Sequence, residues 1–139
     1  MDSLQIITCF ALTGLIWIIQ LVHYPAFRYI EASRFPKFHQ MHSRKISFVV
    51  IPLMIAELIT AIWLAFSEAS SGYFQSIILL LTLLVWLSTF GLQVPCHSKM
   101  TNGKDLHQIE KLILTNWIRT LAWSAKSAML AWQIMAAGS

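Results

Sequence analysis

Between Ser3 and Phe27 the chain carries no Asp, Glu, Lys or Arg. Crossing a ~30 Å hydrocarbon core takes about 20 helical residues, so this run is long enough to span a bilayer. Comparable stretches follow: Ile46 to Ser67 holds one charge, Glu57, Tyr73 to Val94 holds none, and Leu112 to Met135 holds Arg119 and Lys126. In lipid the backbone must satisfy its own donors and acceptors, which makes each stretch a helix. The chain is 57% hydrophobic and only 12% charged, against the ~25% charged residues of soluble domains. A water-soluble single-domain enzyme is not expected from such a chain. The expectation is an all-α integral membrane four-helix bundle forming one domain over 1–139, with helices over 3–27, 36–67, 73–94 and 105–136. The first stretch lacks a basic leader and a small-residue cleavage site, so it reads as a retained helix rather than a signal peptide.

Basic residues are distributed one-sidedly. Arg28, Arg34, Lys37, Arg44 and Lys45 lie between the first two spans, and Lys99, Lys104 and Lys111 between the last two. The other side shows only Asp2 and Glu68. Short loops rich in Lys and Arg stay in the cytoplasm, which places both termini on the outer side of a multi-pass protein of the inner (plasma) membrane. The net charge of +4 then reflects topology and affinity for anionic membrane lipid, not nucleic-acid binding. Cys9 and Cys96 fall at opposite ends of their spans, too far apart for a disulfide.

All five histidines, His23, His39, His42, His97 and His107, fall on the basic side. Pro36 suits the first turn of a helix, which puts His39 and His42 one turn apart on one face. That i, i+3 spacing brings imidazoles close enough to share a metal. Cys96, His97 and His107 lie at the same level and complete a candidate metal set of His39, His42, His97, His107 and Cys96. Imidazole suits iron, copper and zinc alike. A haem held between opposed histidines is an equal reading, with His23 and His97 as one pair and His42 and His107 as another. Histidines resting among lipid headgroups, or capping helix ends, would produce the same pattern.

A second constellation lies within the spans. Glu57 is near the midplane, where a bare charge costs at least ~2.5 kcal/mol, so it needs a partner or a proton. Asn116, Arg119, Trp123 and Lys126 form one stripe on the fourth helix. Lys126 matches the depth of Glu57, and Arg119 reaches it by length. The stripe is either a buried ion pair that sets helix register or the floor of a cavity in which Arg119 holds an anionic group. Trp17, Gln20 and Tyr24 on the first helix, with Thr89 and Gln93 on the third, add polar groups at the same inner level. Pro52 is expected to kink the second helix.

The stretch from Gly14 to Phe27, Phe38 with His39 and His42, Pro52 to Glu57, Val94 to His97, and Thr115 to Thr120 with Trp123 resemble a bacterial four-helix membrane family of unknown function. More remotely, the first-helix proline and the run from Asn116 to Arg119 resemble anthrone-oxygenase-like proteins. The plan also resembles four-helix haem proteins of the protoporphyrinogen oxidase and copper-resistance type. These resemblances imply redox or oxygen chemistry.

Phosphate loops, nucleophile elbows and paired Cys-x-x-Cys motifs are absent from the sequence. The leading expectation is a small membrane oxidoreductase or oxygenase. Its metal or haem sits on the histidines, and Glu57, Asn116 and Arg119 line the cavity of a small-molecule substrate. The alternative is a small proton-coupled transporter or binding protein centred on Glu57. Homo-oligomerisation is open in either case.

Overall fold

A computed structural model describes residues 2–67 and 72–137, and all regular structure among them is helical. Glu68 and most of the connection around it lie outside the described residues. The first helix, α1, starts as Asp2–Ile18, widens into a π turn over Ile19–His23, resumes at Tyr24–Ala26 and closes in a 3-10 turn at Phe27–Tyr29. The second, α2, is a single helix over Phe35–Phe66. The third, α3, runs Tyr73–Ser88, passes a π turn at Thr89–Gln93 and continues through Val94–Lys99. The fourth, α4, covers Leu106–Ala137.

Three helical stretches, Ser3–Tyr29, Phe35–Phe66 and Tyr73–Lys99, are long and apolar enough to cross a membrane. The 32 residues of α4 match α2 in length, but Glu110, Lys111, Arg119 and Lys126 keep its composition below that of the other three. At 1.5 Å per residue the longest helices measure about 48 Å, well beyond a ~30 Å core. His39, His42 and His107 lie near the N-terminal ends of these two helices.

Both the first and the third helix outlast the expected ends at residues 27 and 94, and the reason is the same in each. Proline lacks an N–H and clashes with the carbonyl four residues back. Here each proline, Pro25 and Pro95, follows a widened turn. The N–H of Tyr24 reaches Ile19 O, and that of Val94 reaches Thr89 O. The π turn absorbs the mismatch, so the chain stays helical and delivers Tyr24 one residue and His97 four residues beyond it. Pro52 lies inside α2 on an exposed face, and the helix continues through it.

The helices pack cyclically, α1 against α2 and α4, and α3 against α2 and α4. The cross-contacts fix their direction. Thr13 Oγ1 lies 2.8 Å from Ser127 Oγ, while Gln20 Oε1 accepts from Asn116 Nδ2 at 2.7 Å, so α1 and α4 are antiparallel. At the basic end, Lys104 Nζ donates to the carbonyls of Arg28 and Ile30, each at 2.7 Å, capping the C-terminus of α1. Arg28 Nε donates to Glu110 Oε1 at 2.6 Å. Asp105 Oδ1 accepts from Gln108 N at 3.1 Å and caps α4.

Candidate functional site: a cavity beneath four histidines

Between α1, α2 and α3 lies a cavity of about 260 Å³ with α4 at its back. Its walls are aliphatic and aromatic along most of their length, with Ile16, Met54 and Trp86 among them. One end is polar, where Tyr24, His42, Thr89, Gln93, His97 and Arg119 converge. Each π turn precedes one part of that end: Tyr24 follows the first, and His97 stands one turn past the second.

Arg119 organises the polar end. Its residue is 6% exposed. Nε and Nη2 donate to Asn116 Oδ1 at 2.9 and 2.6 Å, Nη1 to Thr89 Oγ1 at 3.3 Å, and Nη2 to Tyr24 Oη at 3.3 Å. Trp123 lies beneath, with the guanidinium carbon 6.0 Å from its ring centre. Every one of these partners is neutral. Buried charges are ordinarily paired, yet no carboxylate pairs with Arg119 among the described residues.

A chain of hydrogen-bonding groups leads away from Arg119 toward the basic end. Tyr24 Oη stands 3.3 Å from His97 Nε2, and His97 Nδ1 stands 2.9 Å from His39 Nε2. Whichever nitrogen of the last pair carries the proton, the other accepts it. Around them, Phe35 stacks on His39 at 5.5 Å and Phe38 on His42 at 6.1 Å. Three buried polar atoms on cavity-lining residues have no hydrogen-bond partner: His42 Nε2, Gln93 Oε1 and Trp86 Nε1.

Four of the five histidines therefore gather, in two pairs. His23 and His42 have ring centres 5.3 Å apart, and those of His39 and His97 are 5.1 Å apart. His107 stands elsewhere: it is exposed and borders a surface groove with Glu110, Lys111 and Trp117. Glu110, one turn on from His107, forms an ion pair with Arg28. Cys96 is buried and free and does not line the cavity. The five-residue metal set His39, His42, His97, His107 and Cys96 is thus not assembled, and among the described residues no three His, Cys, Asp or Glu side chains are placed to hold one metal ion. The reason is rotational. The i, i+3 spacing aligns His39 and His42 on α2, but α3 meets the first and α1 the second.

Glu57 and Lys126 form a separate buried unit. Lys126 Nζ lies 2.6 Å from Glu57 Oε1 and donates to Thr82 Oγ1 at 2.6 Å. Trp123 Nε1 donates to both carboxylate oxygens, at 3.1 and 3.0 Å. Glu57 does not line the cavity, and Asn116 acts behind Arg119, between its guanidinium and Gln20. Tyr24 is the residue that sequence reasoning undervalued. Its place in the Trp17–Gln20–Tyr24 stripe marked it only as polar, and the proline directly after it was the available signal for a distorted, site-forming turn.

Comparison of the chain with family models, curated proteins and solved structures found no match.

Proposed function

We propose that this is a multi-pass inner-membrane protein, with both termini outward and α4 spanning beside the other three helices, that binds a small lipophilic molecule through an ionisable oxygen head group. The observation that carries this reading is the buried, carboxylate-free guanidinium of Arg119 at the polar end of an otherwise apolar cavity. An oxyanion placed there would supply the missing charge through bonds stronger than neutral ones. Burial of the α4 cations inside the bundle is also what lets so charged a helix lie in lipid.

The adjoining residues suit proton exchange with that head group. A phenol, enol or carboxylic acid releases its proton to His97, directly or by way of the Tyr24 hydroxyl, and His97 hands it to His39 near the basic end. Arg119 stabilises the resulting anion. Loss of that proton prepares a phenol or enol for oxidation, which is where an oxidoreductase or oxygenase assignment fits these residues. The cofactor part of the reading is a transition metal ion (iron, copper or zinc) that His39 and His97 would hold in place of the proton between them, or a haem that one of the two would ligate. Their nitrogens stand 2.9 Å apart, compatible with two neighbouring ligands of one ion at ~2.0–2.1 Å bond lengths, and such a site needs a further donor.

Purified protein in mild detergent tests both parts. Binding of a lipophilic phenol or acid with proton release, lost in Arg119→Gln, is the expected result. Undiminished binding by that variant would refute the head-group assignment. A visible spectrum with elemental analysis of the same sample tests the cofactor: metal or absorbance that survives His39→Ala, His97→Ala removes those residues as its ligands.

A further inference from the structure

The cavity is incompletely walled on one side. Ile51 on α2 and Phe90 and Val94 on α3 line it, yet they are 51%, 60% and 48% exposed. A side chain that faces both a cavity and the surroundings stands at a gap, and these three mark that gap between α2 and α3. Pro52 of α2 follows Ile51, and the π turn Thr89–Gln93 of α3 contains Phe90 and precedes Val94, so both helices that border the opening depart from regular backbone bonding beside it. The exposed side chains around it are apolar and belong to two of the helices suited to a bilayer. In a bilayer the gap would face lipid.

We infer that the ligand is a single-chain amphiphile, an oxyanion on a long hydrocarbon tail, which enters sideways from the bilayer between α2 and α3, seats its head at Arg119 and leaves its tail in the gap. The inference rests on the head-group reading above and extends it to the substrate class and its route. Size supports it. A cavity of about 260 Å³ falls just below the ~300–1,000 Å³ usual for ligand pockets, which leaves room for a head group and the start of a chain while the remainder passes between Ile51 and Val94. Polarity supports it as well. The partnerless His42 Nε2 and Gln93 Oε1 are on residues 92% and 98% buried, from exposures of 8% and 2%. Both residues line the cavity that holds the charged end of Arg119, whereas the wall toward the gap offers carbon.

The full chain in phosphatidylcholine nanodiscs provides the test, with ligand retained in excess of protein-free discs as the readout. Palmitate is compared with butyrate, and 4-dodecylphenol with phenol, so that the two arms separate a fatty acid from an alkylated phenol as the source of the oxyanion. Retention of the long-chain member about tenfold or more tighter than the short one, in either arm, is expected, because each buried methylene adds to affinity. The variant Ile51→Trp, Val94→Trp, which fills the gap from two exposed positions, should abolish that preference by lowering retention of the long probe far more than that of the short one. Equal retention of long and short probes by the wild-type chain overturns the inference, and so does a double variant that lowers both alike. Loss of every probe in Arg119→Gln would leave the head-group reading standing in either event. Failure of all four probes to bind would overturn both readings.

Discussion

Arg119 and Lys126 lie two turns apart on one face of α4, both buried, and they meet opposite surroundings. Lys126 reaches Glu57 at 2.6 Å and Thr82 at 2.6 Å, and Trp123 fills the remaining valence of the carboxylate. That unit is electrically balanced and closed. Arg119 is held just as firmly, but only by Asn116, Thr89 and Tyr24, and it borders a cavity. A balanced buried pair needs nothing more and acts on register and stability. An unbalanced buried cation beside open space invites an anion. On the reading proposed above, the same helix carries a structural charge and a binding charge, and both oxygens of the Glu57 carboxylate are engaged within the first unit.

The sharpest break in this comparison comes from removing one half of the closed pair. Lys126→Met should destabilise the protein by about 3–5 kcal/mol, because it leaves the buried Glu57 without its counter-charge, as thermal or denaturant unfolding in detergent would report. Adding Glu57→Leu should restore most of that loss. A double variant no better than the single one would show that the pair is not a self-contained unit. Arg119→Gln should behave in the opposite way, with little loss of stability but a ~10–100-fold loss of affinity for an oxyanion, the scale of a charge-assisted hydrogen bond. Strong destabilisation with intact binding would erase the distinction between the two cations. Tyr24→Phe, which deletes one neutral partner of Arg119 and the link to His97, should cost about 3–10-fold in affinity and slow proton release more than it weakens binding. Stopped-flow measurement with a pH dye separates the two effects.

The smallest effect is expected at the basic end. Hydrogen bonding from Arg28 holds the Glu110 carboxyl below its ordinary range. A lowered folded-state value means that the contact contributes above the unfolded pKa and is lost as pH falls through the folded one. The Arg28–Glu110 contact should therefore outlast the ~4.3 at which a free glutamate protonates and release only in more acid solution. Glu110→Gln should leave thermal stability near the wild-type value, since exposed pairs contribute little.

Much of the frame was legible residue by residue. Four apolar runs specified four helices, Pro36 marked the start of α2 within a residue, and the depth of Glu57 matched Lys126 by counting alone. The Asn116–Arg119–Trp123–Lys126 stripe is buried throughout. Other features were not legible. The first and third helices were expected to end at residues 27 and 94, whereas the π turns before Pro25 and Pro95 carry them on and aim Tyr24 and His97 inward. His107 shared a level with the other histidines but not a direction.

By itself the sequence determined the helical class, the number of helices and the side on which the basic residues and histidines collect, because hydrophobic length and spacing along one helix are local properties. Only the tertiary structure decided that Glu57 belongs to Lys126, that His97 meets His39 while His42 meets His23, and that Arg119 is left with an open cavity and no carboxylate. Those outcomes depend on how each helix is rotated and offset against its neighbours, and a periodicity written within one helix carries no information about the azimuth of the next.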